Sequence, residues 1–231
     1  MVRVNVMMKD LEQYKINGKL EVICGSMFSG KTEELMRRLK RAEYAKLGVL
    51  TIKHDIDKRY NKAPSCIVSH EGKERFAFTI NNESDSFEKI IQMANTDIDI
   101  IGIDEGHFFK NAMVDVIRQL IFFGKRIIVA GLELDFRGEP FGIMPALLAL
   151  ADEVTKLKAV CVQCGRDAHH TQRIVNGVPA DYNDPIILVG ASEFYEARCR
   201  GCFLINNSLK IDQSSSLDMF QNLSGHIAVT R

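Results

Sequence analysis

Three groups of residues in this chain have the types and spacing that do chemistry. The first is Gly25-Ser26-Met27-Phe28-Ser29-Gly30-Lys31-Thr32, which fills the template G-x-x-x-x-G-K-[ST]. Glycines let such a loop curl so that successive N–H groups point inward, and a following helix adds the partial positive charge of its N-terminus. Lys31 is placed to reach the β- and γ-phosphates of a nucleoside triphosphate, and the Thr32 hydroxyl to ligate Mg²⁺. The competing reading is a chance match in an ordinary turn. Against it, Leu20 to Cys24 is an apolar run with β-branched Val22 and Ile23. Beyond the loop, Leu35, Met36, Leu39, Ala42 and Ala45 recur at helical spacing. Strand, glycine-bounded loop and helix come in the order a phosphate-binding loop requires. The motif says that a triphosphate binds, not what is done with it.

The second group is Asp104-Glu105, which ends an apolar run. Asp104 reads as the carboxylate that shares Mg²⁺ with Thr32. Side chains alternate along a strand, so Glu105 should point away from Asp104 and could accept a proton from an attacking hydroxyl or water. The bland alternative is two solvated carboxylates in a turn. His107 reads as a structural turn histidine, with a titrating group as the alternative. The third group is Cys161-x-x-Cys164 and Cys199-x-x-Cys202. Two such knuckles match a closed tetrahedral structural zinc site, here closing a long loop and stapling a lid. Redox dithiols or core cysteines are the alternatives. Cys24 and Cys66 read as ordinary buried or partly buried thiols.

The elements that must position these groups follow from periodicity. Buried strands are expected at 20–24, 47–53, 97–103, 126–130 and 154–160. Helices are expected at 32–46, 84–95 (N-capped by Ser84), 112–123 and 143–151, and short extended pieces within 66–78. Strands alternating with helices imply a parallel sheet covered on both faces, with the ligand at the carboxyl ends of its strands. The fold class expected is therefore α/β: a P-loop NTPase (RecA-like) sheet plus a small zinc-stapled lasso or lid. The expected domains are a lead-in (1–18), the ATP-binding domain (19–160), the zinc-binding lid (161–206) and a C-terminal tail (207–231).

The chain has 231 residues, with 30 Lys plus Arg against 30 Asp plus Glu. A zero net charge argues against an extended nucleic-acid surface. No apolar run is long enough to span a membrane, and the N-terminus lacks the continuous apolar core of a signal peptide. A cytoplasmic protein without nucleic-acid or membrane partners is expected.

With P-loop, acidic pair and late cysteine quartet in this order, the chain resembles the zinc-binding, P-loop type of thymidine kinase. Residues 25–32 are similar to that family's G-x-M-F-S-G-K-[ST]. Asp104-Glu105-Gly106-His107-Phe108-Phe109 resembles its D-E-x-Q-F-F, and residues 131–142 its G-L-D-x-[DT]-F-x-x-x-P-F-G. The resemblance implies ATP as donor, thymidine as acceptor and Glu105 as general base on the 5′-hydroxyl. It places Met27, Leu132, Phe136, Phe141, Thr171 and Tyr195 around the base. Backbone of Ile186, Ile187, Leu188, Val189 and Gly190 would read the thymine edge. Asp57 and Arg59 resemble the family's D-x-R-Y, whose Arg approaches the phosphates. A homotetramer inhibited by dTTP is also implied. His107 in place of Gln and Glu133 in place of Asp depart from the pattern, both expected near the nucleoside. A pocket shaped this way favours a methyl over hydrogen only weakly, so deoxyuridine should be a weaker substrate.

Rival readings are a DNA-stimulated ATPase, a zinc-ribbon binding module and a kinase for another deoxynucleoside. The lid's Arg166, Arg173, Arg198 and Arg200 alternate with Asp167, Asp181, Asp184, Glu193 and Glu196, which reads as a solvated mixed face rather than a binding surface.

Overall fold

A computed structural model describes residues 18–56, 66–68, 72–94, 97–187 and 193–205. The calls on the lead-in, on Asp57 and Arg59, on Leu188 to Gly190 and on the tail lie outside these residues. Six parallel strands form the main sheet. They are β1 (Lys19–Cys24), β2 (Val49–His54), β5 (Phe78–Ile80), β6 (Ile100–Asp104), β7 (Arg126–Gly131) and β8 (Glu153–Lys156), in the order β5-β2-β6-β7-β1-β8. Between β2 and β5, β3 (Cys66–Val68) and β4 (Glu74–Phe76) form an antiparallel pair.

Both faces of the sheet are covered, which explains why its central strands read as unbroken apolar runs. On one face α1 (Lys31–Tyr44) lays Leu35, Leu39 and Ala42 over Ile23, Ile100, Ile128 and Ala130. On the other, α2 (Ser84–Met93), α3 (Ala112–Phe122) and α4 (Met144–Leu150) cover Val22, Ile101, Ile103 and Val129. They do so with Phe87 and Ile90, then Met113, Ile117 and Leu120, then Met144 and Leu147. Burying each Leu or Ile contributes about 2 kcal/mol, so this double cover is the main source of the sheet's stability.

Several expectations need correction. The run 154–160 is not one strand: β8 ends at Lys156, and β9 (Ala159–Val160) pairs instead with β10 (Asp167–Ala168). The third strand starts at Ile100, because Asp97 to Asp99 turn beneath Gly48, whose N–H donates to Asp99. Ser84 is not the cap of α2. That position falls to Glu83, and the Asn81 side chain accepts from the Glu83 N–H and the Ser86 hydroxyl.

The segment expected to be the lid carries β9 and β10 and the three-stranded set β12-β11-β13, which comprises β11 (His170–Val175), β12 (Val178–Pro179) and β13 (Glu193–Arg198). Its mixed charges are not all solvated. Arg173 is fully buried and Arg198 nearly so, while Arg166 and Arg200 are exposed. Alternation in β11 turns Arg173 inward, where Nη1 donates to the Pro185 carbonyl at 2.7 Å and the guanidinium lies 3.7 Å from the Phe136 ring centre.

Candidate active site

The loop after β1 has the conformation its glycines allow. Gly25 has φ 148°, and a Cβ there would lie 2.6 Å from both the Leu157 carbonyl oxygen and Ser29 Oγ. Gly30, at φ 83°, is the N-cap of α1 and offers no side-chain cap. A helix start left uncapped keeps its N–H groups for an anion. Lys31 Nζ donates to the Ser26 carbonyl at 2.7 Å, folded back over the loop it would leave when phosphates arrive. The Thr32 hydroxyl donates to Asp104 Oδ2 at 3.1 Å, which ties the first turn of α1 to the end of β6.

Glu105 stands just past β6 in the left-handed region (φ 54°) and leads into the 3₁₀ turn Gly106–Phe108. Strand alternation therefore does not decide its direction; the turn does. Asp104 Oδ1 accepts from the Glu105 N–H at 3.0 Å, while Glu105 Oε2 lies 3.3 Å from His107 Nε2. Glu105 and Phe28 (φ 65°) are non-glycine residues in left-handed backbone on the two sides of one cleft. Such strain costs about 1 kcal/mol each and persists where the surroundings enforce it.

That cleft is lined by Met27, Phe28, Gly30, Lys31, Thr32, Glu33, Glu105 and Leu132. Phosphate loop, acidic pair and the first residues of the expected base pocket thus meet at the carboxyl ends of β1, β6 and β7, as the topology requires. The Met27 N–H donates to Thr171 Oγ1 at 3.0 Å, so β11 sits directly on the loop. In the β11–β13 register Thr171 pairs with Ala197 and Arg173 with Tyr195, which puts Thr171, Arg173 and Tyr195 on one face. Phe136 packs on Arg173, and Phe141 lies 4.5 Å from the His107 ring. Ile186 and Ile187 are exposed.

Two residues do more than their sequence positions suggested. The Gly25 N–H donates to Glu133 Oε2 at 2.6 Å, with Lys156 3.3 Å from the other oxygen. Glu133 therefore holds the loop after β1 at its first glycine. His54, buried at the end of β2, meets Asn82, whose amide also donates to the Phe108 carbonyl and whose oxygen accepts from the Lys110 N–H. Burial holds His54 below the usual histidine range. Nothing in the local sequence marked Asn82 as the link between β2 and the turn after Glu105.

The four cysteine sulfurs lie within 4.8 Å of one another, with Cys164 and Cys199 Sγ 3.6 Å apart. A tetrahedron of Zn–S bonds near 2.3 Å has sulfur–sulfur edges of about 3.8 Å, so the donor set fits zinc. The Arg166 guanidinium donates to Cys164 Sγ at 3.4 Å and pulls that thiol down to about 6. Hydrogen bonding to Cys199 first, and to the other sulfurs, pushes Cys202 up to about 12. Four crowded sulfurs cannot all be thiolates without a cation among them.

A doubly covered parallel sheet with this loop and acidic pair defines a P-loop nucleotide-binding protein. The thymidine kinase family profile matches residues 18–203, and the chain belongs to the thymidine kinase family. The thymidine kinase of Coprothermobacter proteolyticus is 57% identical over 183 residues, which is 79% of this chain and 89% of that one. Two solved structures align loosely, each over less than two thirds of its own length. A DNA replication initiation factor is 14% identical (TM-score 0.39, 61% of this chain and 40% of that one). Domain III of the Thermotoga maritima replication initiation protein DnaA is 16% identical (TM-score 0.37, 65% and 59%).

Proposed function

We propose that this cleft carries out the thymidine phosphorylation that family membership assigns to the chain, with ATP as phosphate donor. The observation that carries the proposal is that Glu105 lines the same cleft as Lys31, Thr32, Met27 and Leu132. The loop N–H groups and Lys31 hold the triphosphate and neutralise charge that builds on it during transfer. Thr32 and Asp104 would hold Mg²⁺, which when bound adds further neutralisation of the phosphate oxygens. Glu105 takes the proton of the 5′-hydroxyl as that oxygen attacks. Leu132, Met27, Phe136, Phe141, Thr171 and Tyr195 surround the base. Asp57, Arg59 and the backbone of 186–190 enter on the sequence pattern.

Cys161, Cys164, Cys199 and Cys202 would hold zinc and keep the lid (161–206) ordered over the ATP-binding domain (19–160). A homotetramer, inhibition by dTTP and a cytoplasmic site of action belong to the same proposal. Among the described residues no helix is long and apolar enough to cross a membrane.

The test is ADP release from ATP–Mg²⁺ with no acceptor, with each natural deoxynucleoside, and with single-stranded DNA. Thymidine should drive it most strongly, and ADP release that rises with DNA alone would defeat the reading. Glu105→Gln should leave ATP binding intact and lower kcat by roughly 100-fold or more. Near-normal turnover in that variant removes Glu105 as the base.

A further inference from the structure

His107 is buried, its ring centre 4.1 Å from that of Phe108 and 4.5 Å from that of Phe141. The Leu132 backbone N–H donates to its Nδ1 at 3.1 Å. A neutral imidazole has one acceptor and one donor nitrogen, so accepting at Nδ1 puts the proton on Nε2. That nitrogen is the one 3.3 Å from Glu105 Oε2. A chain of contacts therefore runs from the backbone at the end of β7 through one ring to the carboxylate in the cleft. The distance is long for a finished hydrogen bond, which is usual before substrate tightens such a site.

We infer that His107 is a positioning residue: its Nε2–H, with the tautomer fixed by the Leu132 amide, aims Glu105 and keeps it a carboxylate ready to take a proton. This rests on the reading of Glu105 as the base. A second proton on the ring would have to sit on Nδ1 against the Leu132 N–H, so the geometry opposes an imidazolium there. The side chain that can replace it is one with the same polarity and reach. Glutamine has it, an oxygen to accept from Leu132 and an N–H₂ to donate to Glu105. Asparagine has the polarity but is shorter, and leucine has only the bulk.

Among the described residues, the other charged groups near the pair are already engaged or line the cleft. Asp104 turns to Thr32 and to the Glu105 amide, and Lys31 and Glu33 of α1 line the cleft. His54 of β2 contacts Phe108 and Phe109. Beyond Leu132, Glu133 is engaged with Gly25, and Asp135 accepts from the backbone of Arg137 and Glu139. None is changed in the variants below.

The experiment is the pH profile of kcat for the full-length wild type, His107→Gln, His107→Asn and His107→Leu, with ATP affinity and thermal midpoint measured beside it. In His107→Leu the carboxylate loses a donor to its charged form. Its kcat at neutral pH should fall roughly 10-fold or more, and the acidic limb should move up by about one pH unit. ATP affinity should stay within about 3-fold. His107→Gln should recover most of the turnover and return the limb, and His107→Asn should behave like the leucine variant. An unmoved limb in His107→Leu, or a glutamine variant no better than leucine at equal thermal midpoint, overturns the inference. If the leucine variant does not fold, glutamine against asparagine decides by the same two readouts. Turnover surviving Glu105→Gln would instead sink the reading of the base, whatever His107 does.

Discussion

On the sheet side of the molecule, two clusters of buried Ile, Leu, Val, Phe and Met side chains clamp the strands between α1 and the set α2, α3 and α4. On the lid side the corresponding cluster is Ala159, Cys161, Ala168, Ala197 and Cys199, with Cys202 partly buried against it. Alanines and thiols bury little apolar area, so the lid cannot order itself by the means that orders the sheet. What it has instead is a cysteine quartet that fits zinc, the buried Arg173 on Phe136 and on the Pro185 carbonyl, and the half-buried Arg137 donating to the Asp184 carbonyl. The loop proposed to hold phosphate is thus anchored in a core, whereas the surface expected to meet the base is held, among the described residues, by a few directional bonds. Each can be broken without the other.

Removing the metal should produce the largest effect. A structural zinc site contributes on the order of 10 kcal/mol to the fold around it. A chelated protein, or a Cys199→Ser variant, should lose the lid while the sheet persists. The nucleoside KM should rise at least about 10-fold, with ATP affinity within a few-fold of its starting value. Loss of ATP binding in parallel, or a nucleoside KM that does not move, would show that the two regions are one cooperative unit.

The converse test strikes the sheet. Glu21 is buried in β1, facing α1, and takes Arg126, Lys19 and Arg38 as partners at 2.6 Å each. Burial alone would raise its carboxyl, but hydrogen bonds from Arg126, Lys19 and Arg38 outweigh it and hold the group down at about 2 from an ordinary 4.5. A carboxyl depressed in the folded state stabilises above its unfolded value and loses that stabilisation as pH falls through the folded one. Glu21→Gln should therefore cost on the order of 3 kcal/mol near pH 7, and the deficit should shrink between about pH 4.5 and 2. Urea denaturation followed by circular dichroism at the two ends of that window checks it. A deficit that stays constant with pH would mean that lost packing, not charge, is responsible.

How much of this was legible follows the same division. The sheet, its helices and the P-loop were readable because strands buried on both faces and an amphipathic helix carry a pattern. The ends of β6 and β8 were not, because Gly48 with Asp99 and the step to β9 are set by tertiary contacts. Glu21 was hidden in an apolar run, since the cations that make it tolerable come from α1 and β7. The cysteine quartet was legible by spacing alone. Arg173 was not: among alternating charges nothing distinguishes the one that β11 turns inward. Glu133 was read as a departure from a family pattern, and nothing in the sequence showed that its carboxylate accepts from the Gly25 N–H. His107 was read as a turn residue, and its contact with Glu105 depends on a backbone amide far along the chain, at Leu132.

The smallest effect comes from the part of the site where core and lid meet. Met27 and Leu132 belong to the sheet side and Thr171 to the lid, and the Met27–Thr171 hydrogen bond joins them. If these residues surround the base, the thymine methyl gains one buried carbon, worth about 1 kcal/mol. Discrimination by a methyl in an apolar pocket is weak compared with rejection through an unpaired buried polar group. Deoxyuridine should therefore turn over with a kcat/KM roughly 5- to 10-fold below that of thymidine, because its hydrogen-bonding edge is the same. Competition of the two nucleosides in one assay gives the ratio directly. A preference beyond about a thousand-fold could not come from a methyl in this pocket. It would mean that the methyl triggers closure of the lid, so that the segment held by few bonds, not the rigid core, sets selectivity.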